Sequence, residues 1–192
     1  MCLLSDRDIE FYANNRDMIE PFVPEQIRIH DTDFTKRAVS WGLSSYGYDI
    51  RLAREFMIFS EADGAVIDPL NFDGDKFIIH HIGSYVDIPP HGFVLARSEE
   101  YFIMPPNVEG IVHGKSTYAR CGVVTPATPL EPAWEGHITL EFGNLTPLPI
   151  RMWAGMGCAQ VLFFEGKNQC RTTYADRAGK YMKQTGITLP RT

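Results

Sequence analysis

The 192-residue sequence contains no run of about 18 apolar residues, so no membrane-spanning helix is expected. Its opening, Met1-Cys2-Leu3-Leu4-Ser5-Asp6-Arg7-Asp8, turns charged too early for a secretory signal. A cytoplasmic protein without a membrane partner is therefore expected. Clusters of five or more Lys and Arg are missing and the net charge is -6, which argues against nucleic acid as a partner because phosphate-backbone affinity needs a basic surface. An anionic ligand would have to be held by a local cationic pocket. Cysteine is scarce: Cys2, Cys121, Cys158 and Cys170 are far apart with no C-x-x-C pair, so neither a zinc site nor a disulfide framework is indicated. They are expected to be reduced and mostly buried. The six histidines, His30, His80, His81, His91, His113 and His137, form neither H-E-x-x-H nor the H-x-E and P-C-x-x-C arrangement of zinc deaminases. A G-x-S-x-G elbow is also missing, which leaves a serine-hydrolase reading without support.

What is present is ordinary globular composition, 44% hydrophobic and 22% charged, in a length suited to one domain over residues 1–192. Thirteen prolines and sixteen glycines punctuate short apolar runs, the pattern of a mainly β protein with many turns. Ser5 followed by Asp8, with Ile9, Phe11 and Tyr12 behind, predicts a short peripheral helix over 6–14. Strands are predicted at 46–52, 56–59, 65–67, 77–81, 85–88, 93–97, 101–104, 108–113, 137–142, 150–153 and 159–164. Residues 23–40 read as an irregular surface connection. Many short strands without alternating long helices point to a barrel or sandwich.

The densest chemistry lies in residues 114–141. Gly114-Lys115-Ser116-Thr117-Tyr118-Ala119-Arg120 places cations and hydroxyls beside glycine, which suits an oxygen-rich anion such as a phosphate chain. It is not a P-loop, since G-x-x-x-x-G-K-[ST] would need glycine where Glu109 stands. It can still form one helical turn presenting N–H groups to a phosphate, or be a polar turn with solvated Lys115 and Arg120. In His137-Ile138-Thr139-Leu140-Glu141-Phe142 the two-residue period puts His137, Thr139 and Glu141 on one face and the apolar residues on the other. Glu141 is then either part of a solvated face or an acid held in a partly dry cleft, where burial would raise its pKa. His113 reads as a hydrogen-bonded strand histidine that could alternatively face the site. The cationic, aromatic segment from Tyr174 to Gly186 is either a lid over a ligand or a frayed terminus.

Residues 114–120, Thr128-Pro129-Leu130-Glu131-Pro132-Ala133-Trp134-Glu135-Gly136, Thr139-Leu140-Glu141-Phe142, Gly179-Lys180-Tyr181 and Thr185-Gly186 together resemble the dCTP deaminase family. Leu4-Ser5-Asp6, Ser44-Ser45-Tyr46-Gly47-Tyr48-Asp49 and Gln160-Val161-Leu162-Phe163-Phe164 extend the likeness over nearly the whole chain. The resemblance implies the distorted β-barrel or jelly-roll-like subunit of the trimeric dUTPase superfamily, assembled as a homotrimer with sites between neighbouring subunits. It implies a hydrolase acting on a cyclic amidine, converting dCTP to dUTP and ammonia without zinc, with Mg²⁺ carried by the triphosphate rather than by a protein metal site. The dUTP would supply dUMP and dTTP synthesis, and dTTP would be a candidate inhibitor. By the same resemblance Glu141 is the general acid/base, with Ser116 and Arg120 beside it. Lys115, Thr117, Tyr118 and Ala119 bind triphosphate, Thr139 and Leu140 line base and sugar, and Glu131, Gln160, Tyr174, Lys180 and Gln184 complete nucleotide binding. The tail, 174–192, becomes a lid.

The residue chemistry agrees with that assignment. Water attacking C4 of cytosine needs a base for its proton and an acid for ring N3 or the leaving amine, which one carboxylate can supply in sequence. Without a metal to acidify the water, a fixed hydroxyl and guanidinium can orient it. Arg120, if close, would lower the pKa of Glu141 against the effect of burial. The stretch Thr125-Pro126-Ala127 is smaller than the family's single-activity members carry and resembles bifunctional relatives that release dUMP and pyrophosphate. Pro126 should mark an edge or bulge. A nucleotide-binding trimer without catalysis is the remaining alternative.

Overall fold

The computed structural model describes residues 2–29, 33, 37–126 and 128–191. In chain order the elements are β1 (Cys2–Leu3), α1 (Asp6–Arg16), β2 (Ile19–Glu20), β3 (Gly42–Ser44), β4 (Gly47–Phe59), β5 (Ile78–Ile82), β6 (Tyr85–Ile88), β7 (Phe93–Ile103) and β8 (Val108–Gly114). There follow α2 (Ser116–Ala119), β9 (Val123–Val124), β10 (Thr128–Leu130), β11 (Glu135–Asn144), β12 (Ile150–Trp153) and β13 (Gly157–Glu165). The expected N-terminal helix forms and runs to Arg16, started by a capping box in which the Ser5 hydroxyl and the Asp8 carboxylate satisfy each other's backbone N–H.

An 11-stranded antiparallel sheet follows the path β10-β8-β13-β4-β7-β11-β9, with β1, β2, β3 and β5 attached to it, while β6 and β12 pair as a separate ribbon. The two ends of that path, β9 and β10, are successive in the chain. The link between Val124 and Thr128 can span no more than about 14 Å, so a path this wide must curl back on itself. This curled, mainly β half-barrel agrees with the expected mainly β, distorted β-barrel or jelly-roll-like subunit. The interior is filled by Tyr48, Phe56, Phe102, Phe142 and Phe163, all fully buried, each contributing on the order of 2 kcal/mol of apolar burial.

Three expectations are corrected. The segments 46–52 and 56–59 are one strand, β4, which pairs with β13 at residues 48–51 and with β7 and β5 further on. A register shift between Leu52 and Phe56 marks the corner where it passes from one side of the curl to the other. Likewise 93–97 and 101–104 belong to the single strand β7, whose polar Ser98-Glu99-Glu100 interruption is a bulge and not a turn. Residues 65–67 form no strand; Val66 and Ile67 are exposed in a loop, where their apolar run gains no sheet pairing. The cysteines also differ from expectation, since only Cys158 is buried and the other three are exposed. Cys158 alone lies on the inward phase of a barrel strand. Among the described residues, no helix is long and apolar enough to cross a membrane.

A second, smaller apolar layer decides where the site lies. On the outer face of β4, β7 and β11, Met57, Leu95 and Ile187 are buried against Phe59, Ile78, Phe93 and Leu189. Two of these, Ile187 and Leu189, come from the C-terminal tail, which therefore packs on the outside of the same strands whose inner face makes the core.

Candidate functional site

β11 carries the strand-borne acid as its period predicts. Burial alternates along the strand, with Ile138, Leu140 and Phe142 in the core and His137, Thr139 and Glu141 half-buried on the outer face. Leu140, expected at the base and sugar, thus faces inward and has only its backbone to offer a ligand. On the outer face a cavity of about 770 Å³ is lined by Thr128, Glu131, Thr139, Glu141, Tyr174, Lys180 and Gln184, with apolar walls from Phe59, Phe72, Phe93 and Leu95. Five expected nucleotide-binding residues and the acid are therefore brought together.

The tail closes this cavity through backbone pairing. Gln184 forms an isolated bridge with Gly136, His137 N–H donates to Gln184 O at 2.9 Å and Lys183 N–H to Glu135 O at 2.7 Å. Trp134 Nε1 donates to Tyr181 O at 2.9 Å. Thr139 Oγ1 donates to Gln184 Oε1 at 3.0 Å and accepts from Thr188 N–H at 3.1 Å. Two glycines permit this approach: a Cβ on Gly136, whose φ is +149, would meet Gln184 N at 2.8 Å, and one on Gly179 would collide with the Tyr174 ring. Arg177 pairs with Glu131, and Lys180 Nζ sits 5.4 Å from the Tyr181 ring.

Burial raises the pKa of Glu141 above its ordinary value, opposed by hydrogen bonding from backbone N–H and from the Thr128 hydroxyl. Arg120 is not among these causes, so within one chain the desolvation expected of a cleft acid prevails over the arginine. A carboxyl held this way retains a proton more readily than an ordinary glutamate and can serve as base and acid in turn.

The cationic turn lies elsewhere. α2 is the single helical turn anticipated, with Ser116, Thr117, Ala119 and Arg120 at the surface, and none of residues 115–120 lines the cavity. Tyr118 sends its ring into the core, where burial pushes its hydroxyl pKa up. Lys115 Nζ makes an ion pair with Asp49 at 2.6 Å, with side chains 11% and 2% exposed, and donates to Ser40 Oγ at 3.2 Å. Gln160 joins this group, donating from Nε2 to Asp49 Oδ1 at 3.1 Å and to Ser44 Oγ at 3.2 Å. His113 is a strand histidine with Nδ1 3.2 Å from Gly114 O. The chain thus carries two separate groups: an acid in a roofed cavity, and a surface Ser116-Arg120 turn standing on a buried Lys115–Asp49 pair.

Thr125 and Pro126 lie outside β9 and β10, in the link between the two sheet ends, where a proline removes no ladder N–H; Ala127 falls outside the described residues. Residues that sequence reasoning missed are Asp49, Thr128, Arg177 and Thr188. Asp49 alone had a signal, standing between Tyr48 and Ile50 in a strand end buried on both faces. Among the described residues, no group of three or more His, Cys, Asp or Glu could hold a metal.

The curled antiparallel sheet with an outward acid roofed by the chain's own tail defines a small-molecule site on a mainly β scaffold. Residues 3–166 match the dCTP deaminase-like family, and the chain belongs to that family. It is 54% identical over 191 residues to the dCTP deaminase of Albidiferax ferrireducens and 52% identical over 192 residues to that of Ralstonia pickettii, in each case over 100% of both chains. Its fold matches the crystal structure of a 2'-deoxycytidine 5'-triphosphate deaminase from Agrobacterium tumefaciens, with TM-score 0.57 and 17% identity over 85% of this chain and 48% of that one.

Proposed function

We propose that this chain deaminates dCTP hydrolytically, giving dUTP and ammonia, with Glu141 as the proton carrier. The observation that carries the reading is the half-buried Glu141 carboxyl, its pKa raised by desolvation, on the wall of a cavity large enough for a nucleotide. Glu141 takes a proton from the attacking water as the C–O bond forms at C4 and passes it to ring N3; it then takes the proton of the new C4 hydroxyl and delivers it to the amine, which leaves as ammonia as the C–N bond breaks and the C4 carbonyl forms. Thr139, Gln184 and the walls hold base and sugar, while Glu131, Tyr174 and Lys180 place polar groups at the cavity rim. No step runs through zinc. Mg²⁺ enters with the triphosphate as part of the substrate.

Ser116 and Arg120 stand outside the cavity of their own chain, so the complete site is assembled between copies. Each copy of a homotrimer lends its surface turn to the cavity of a neighbour, where the guanidinium and hydroxyl orient the water and triphosphate. The tail, 174–192, acts as the lid, and the enzyme works in the cytoplasm to supply dUTP for dUMP and dTTP formation.

Incubation with dCTP and Mg²⁺, with ammonia and nucleotides followed together, tests the reading. Ammonia and dUTP in equal amounts are expected; dCTP that binds but persists would leave a binding protein. Appearance of dUMP with pyrophosphate would instead identify the bifunctional activity.

A further inference from the structure

Three residues upstream of Glu141, on the same strand pair, lies a buried polar knot that the reaction does not use. β11 and β7 are paired with His137 opposite Tyr101 and Thr139 opposite Arg97, so one residue of β11 faces three of β7. The extra residues are Ser98, Glu99 and Glu100, and both Ser98 and Glu100 are fully buried. Ser98 Oγ donates to Glu100 O at 2.7 Å and accepts from Ile138 N–H at 2.8 Å, thus joining the bulged strand to β11 at the one position where the ladder has no partner of its own. Below it, the Glu100 carboxylate accepts from Arg51 N–H at 2.8 Å and Arg51 Nε at 2.7 Å, which fixes the bulge to β4. His137 Nδ1 lies 3.1 Å from Glu100 O on the other side.

A strand can take up a bulge in more than one place, and a slip of one residue exchanges its two faces. On β11 that slip would send Glu141 into the core and Leu140 into the cavity. A hydroxyl that donates to Glu100 O and accepts from Ile138 N–H holds the bulge upstream of Thr139, so the residues after it alternate in the phase that puts Glu141 outward.

Resting on the deaminase reading above, we propose that Ser98 is a positioning residue for the reaction, its hydroxyl pinning the β7 bulge to Ile138 and thereby setting the register in which β11 presents Glu141. It touches no substrate. Its contribution falls mainly on the chemical step, because proton transfer by Glu141 is more sensitive to a displacement of β11 than the hold on the nucleotide, to which Thr139 of that strand is one of several contributors.

Ser98→Ala, Ser98→Thr and wild type are compared in steady-state dCTP turnover with thermal melts and amide exchange on the same samples. Ser98→Ala should lower kcat by about 10- to 100-fold, as a displacement of about 1 Å does in a positioned site, with KM changed less than about threefold. Ser98→Thr, which keeps the hydroxyl, should restore kcat to within about threefold. Ile88→Val, a buried change in the β6–β12 ribbon, controls for lost stability and should leave kcat unaltered. The inference is overturned if folded Ser98→Ala keeps wild-type kcat, if its loss appears in KM alone, or if Ser98→Thr is as slow as Ser98→Ala. Should Ser98→Ala not fold, Ser98→Thr and Ser98→Cys decide the matter: kcat near wild type for the first and reduced for the second supports the inference, and equal kcat for both overturns it. Absence of ammonia from wild type would sink the deaminase reading alone. The register claim would then be read from exchange at the Ile138 amide, which Ser98→Ala must speed at least about tenfold and Ser98→Thr must not.

Discussion

The cavity around Glu141 and the turn at residues 115–120 are built in opposite ways. The cavity is partly shielded from solvent because the tail and the loop before β5 cover the outer face of the sheet, and burial there raises the pKa of its acid. The turn is wet: Ser116 and Arg120 are at the surface, and what is buried is the pair beneath them, Lys115 with Asp49. One group is thus enclosed by the chain itself, and the other is left at its surface. The difference teaches that candidate residues close together in sequence need not meet in one cavity of the chain that carries them.

The comparison breaks most sharply at the acid. Glu141→Gln should reduce dCTP turnover by at least about 10²- to 10⁴-fold, measured as ammonia release, while melting at a higher temperature than wild type at neutral pH. The sign follows from the raised folded pKa: the wild-type carboxyl is favourable to folding below the ordinary glutamate value of 4.5 and loses that advantage as pH rises through the elevated folded value. The gain in melting temperature on substitution should therefore shrink as the pH is brought below that ordinary value. Next in size, Arg120→Ala should lower turnover by about 10²- to 10³-fold with no change in melting, since the side chain is exposed. Co-expressing Glu141→Gln chains with Arg120→Ala chains should recover about a quarter of wild-type activity, because random assembly leaves that share of shared sites intact. Sites confined to single chains would recover nothing.

Smaller effects sharpen the contrast between the two ion pairs. Asp49→Ala strands the Lys115 ammonium in a buried position and should cost about 3–5 kcal/mol of stability in denaturant unfolding. Arg177→Ala removes the partly exposed pair with Glu131 and should cost about 1 kcal/mol or less, appearing instead as a raised KM if the tail acts as a lid. Equal losses from the two would mean that the tail pair is as dry as the one under the turn.

Much of the architecture was legible because strand periodicity is local. The alternation in 137–142 gave the correct faces, and Ser5 with Asp8 gave the helix start, since capping depends on residues three apart. Splitting β4 and β7 into four strands failed for a common reason: Arg54-Glu55 and Ser98-Glu99-Glu100 look like turns, and only pairing with a neighbour turns such polar interruptions into bulges. The exposure of Cys2, Cys121 and Cys170 was missed because cysteine's average burial says nothing about which phase of a strand or loop a given residue occupies. Arg177 and Thr188 gave no signal, as their partners Glu131 and Thr139 are 46 and 49 residues away.

The sequence by itself determined the mainly β class, the outward direction of Glu141 and the membership that its ordered motifs announce, because each is a property of spacing along the chain. Tertiary structure alone decided that the acid is half-buried, that Lys115 is held by Asp49, and that Ser116 and Arg120 lie outside the cavity of their own chain. Those outcomes depend on which distant segments a curled sheet brings together, and burial, the main cause of the shifted Glu141 pKa, exists only once they have met.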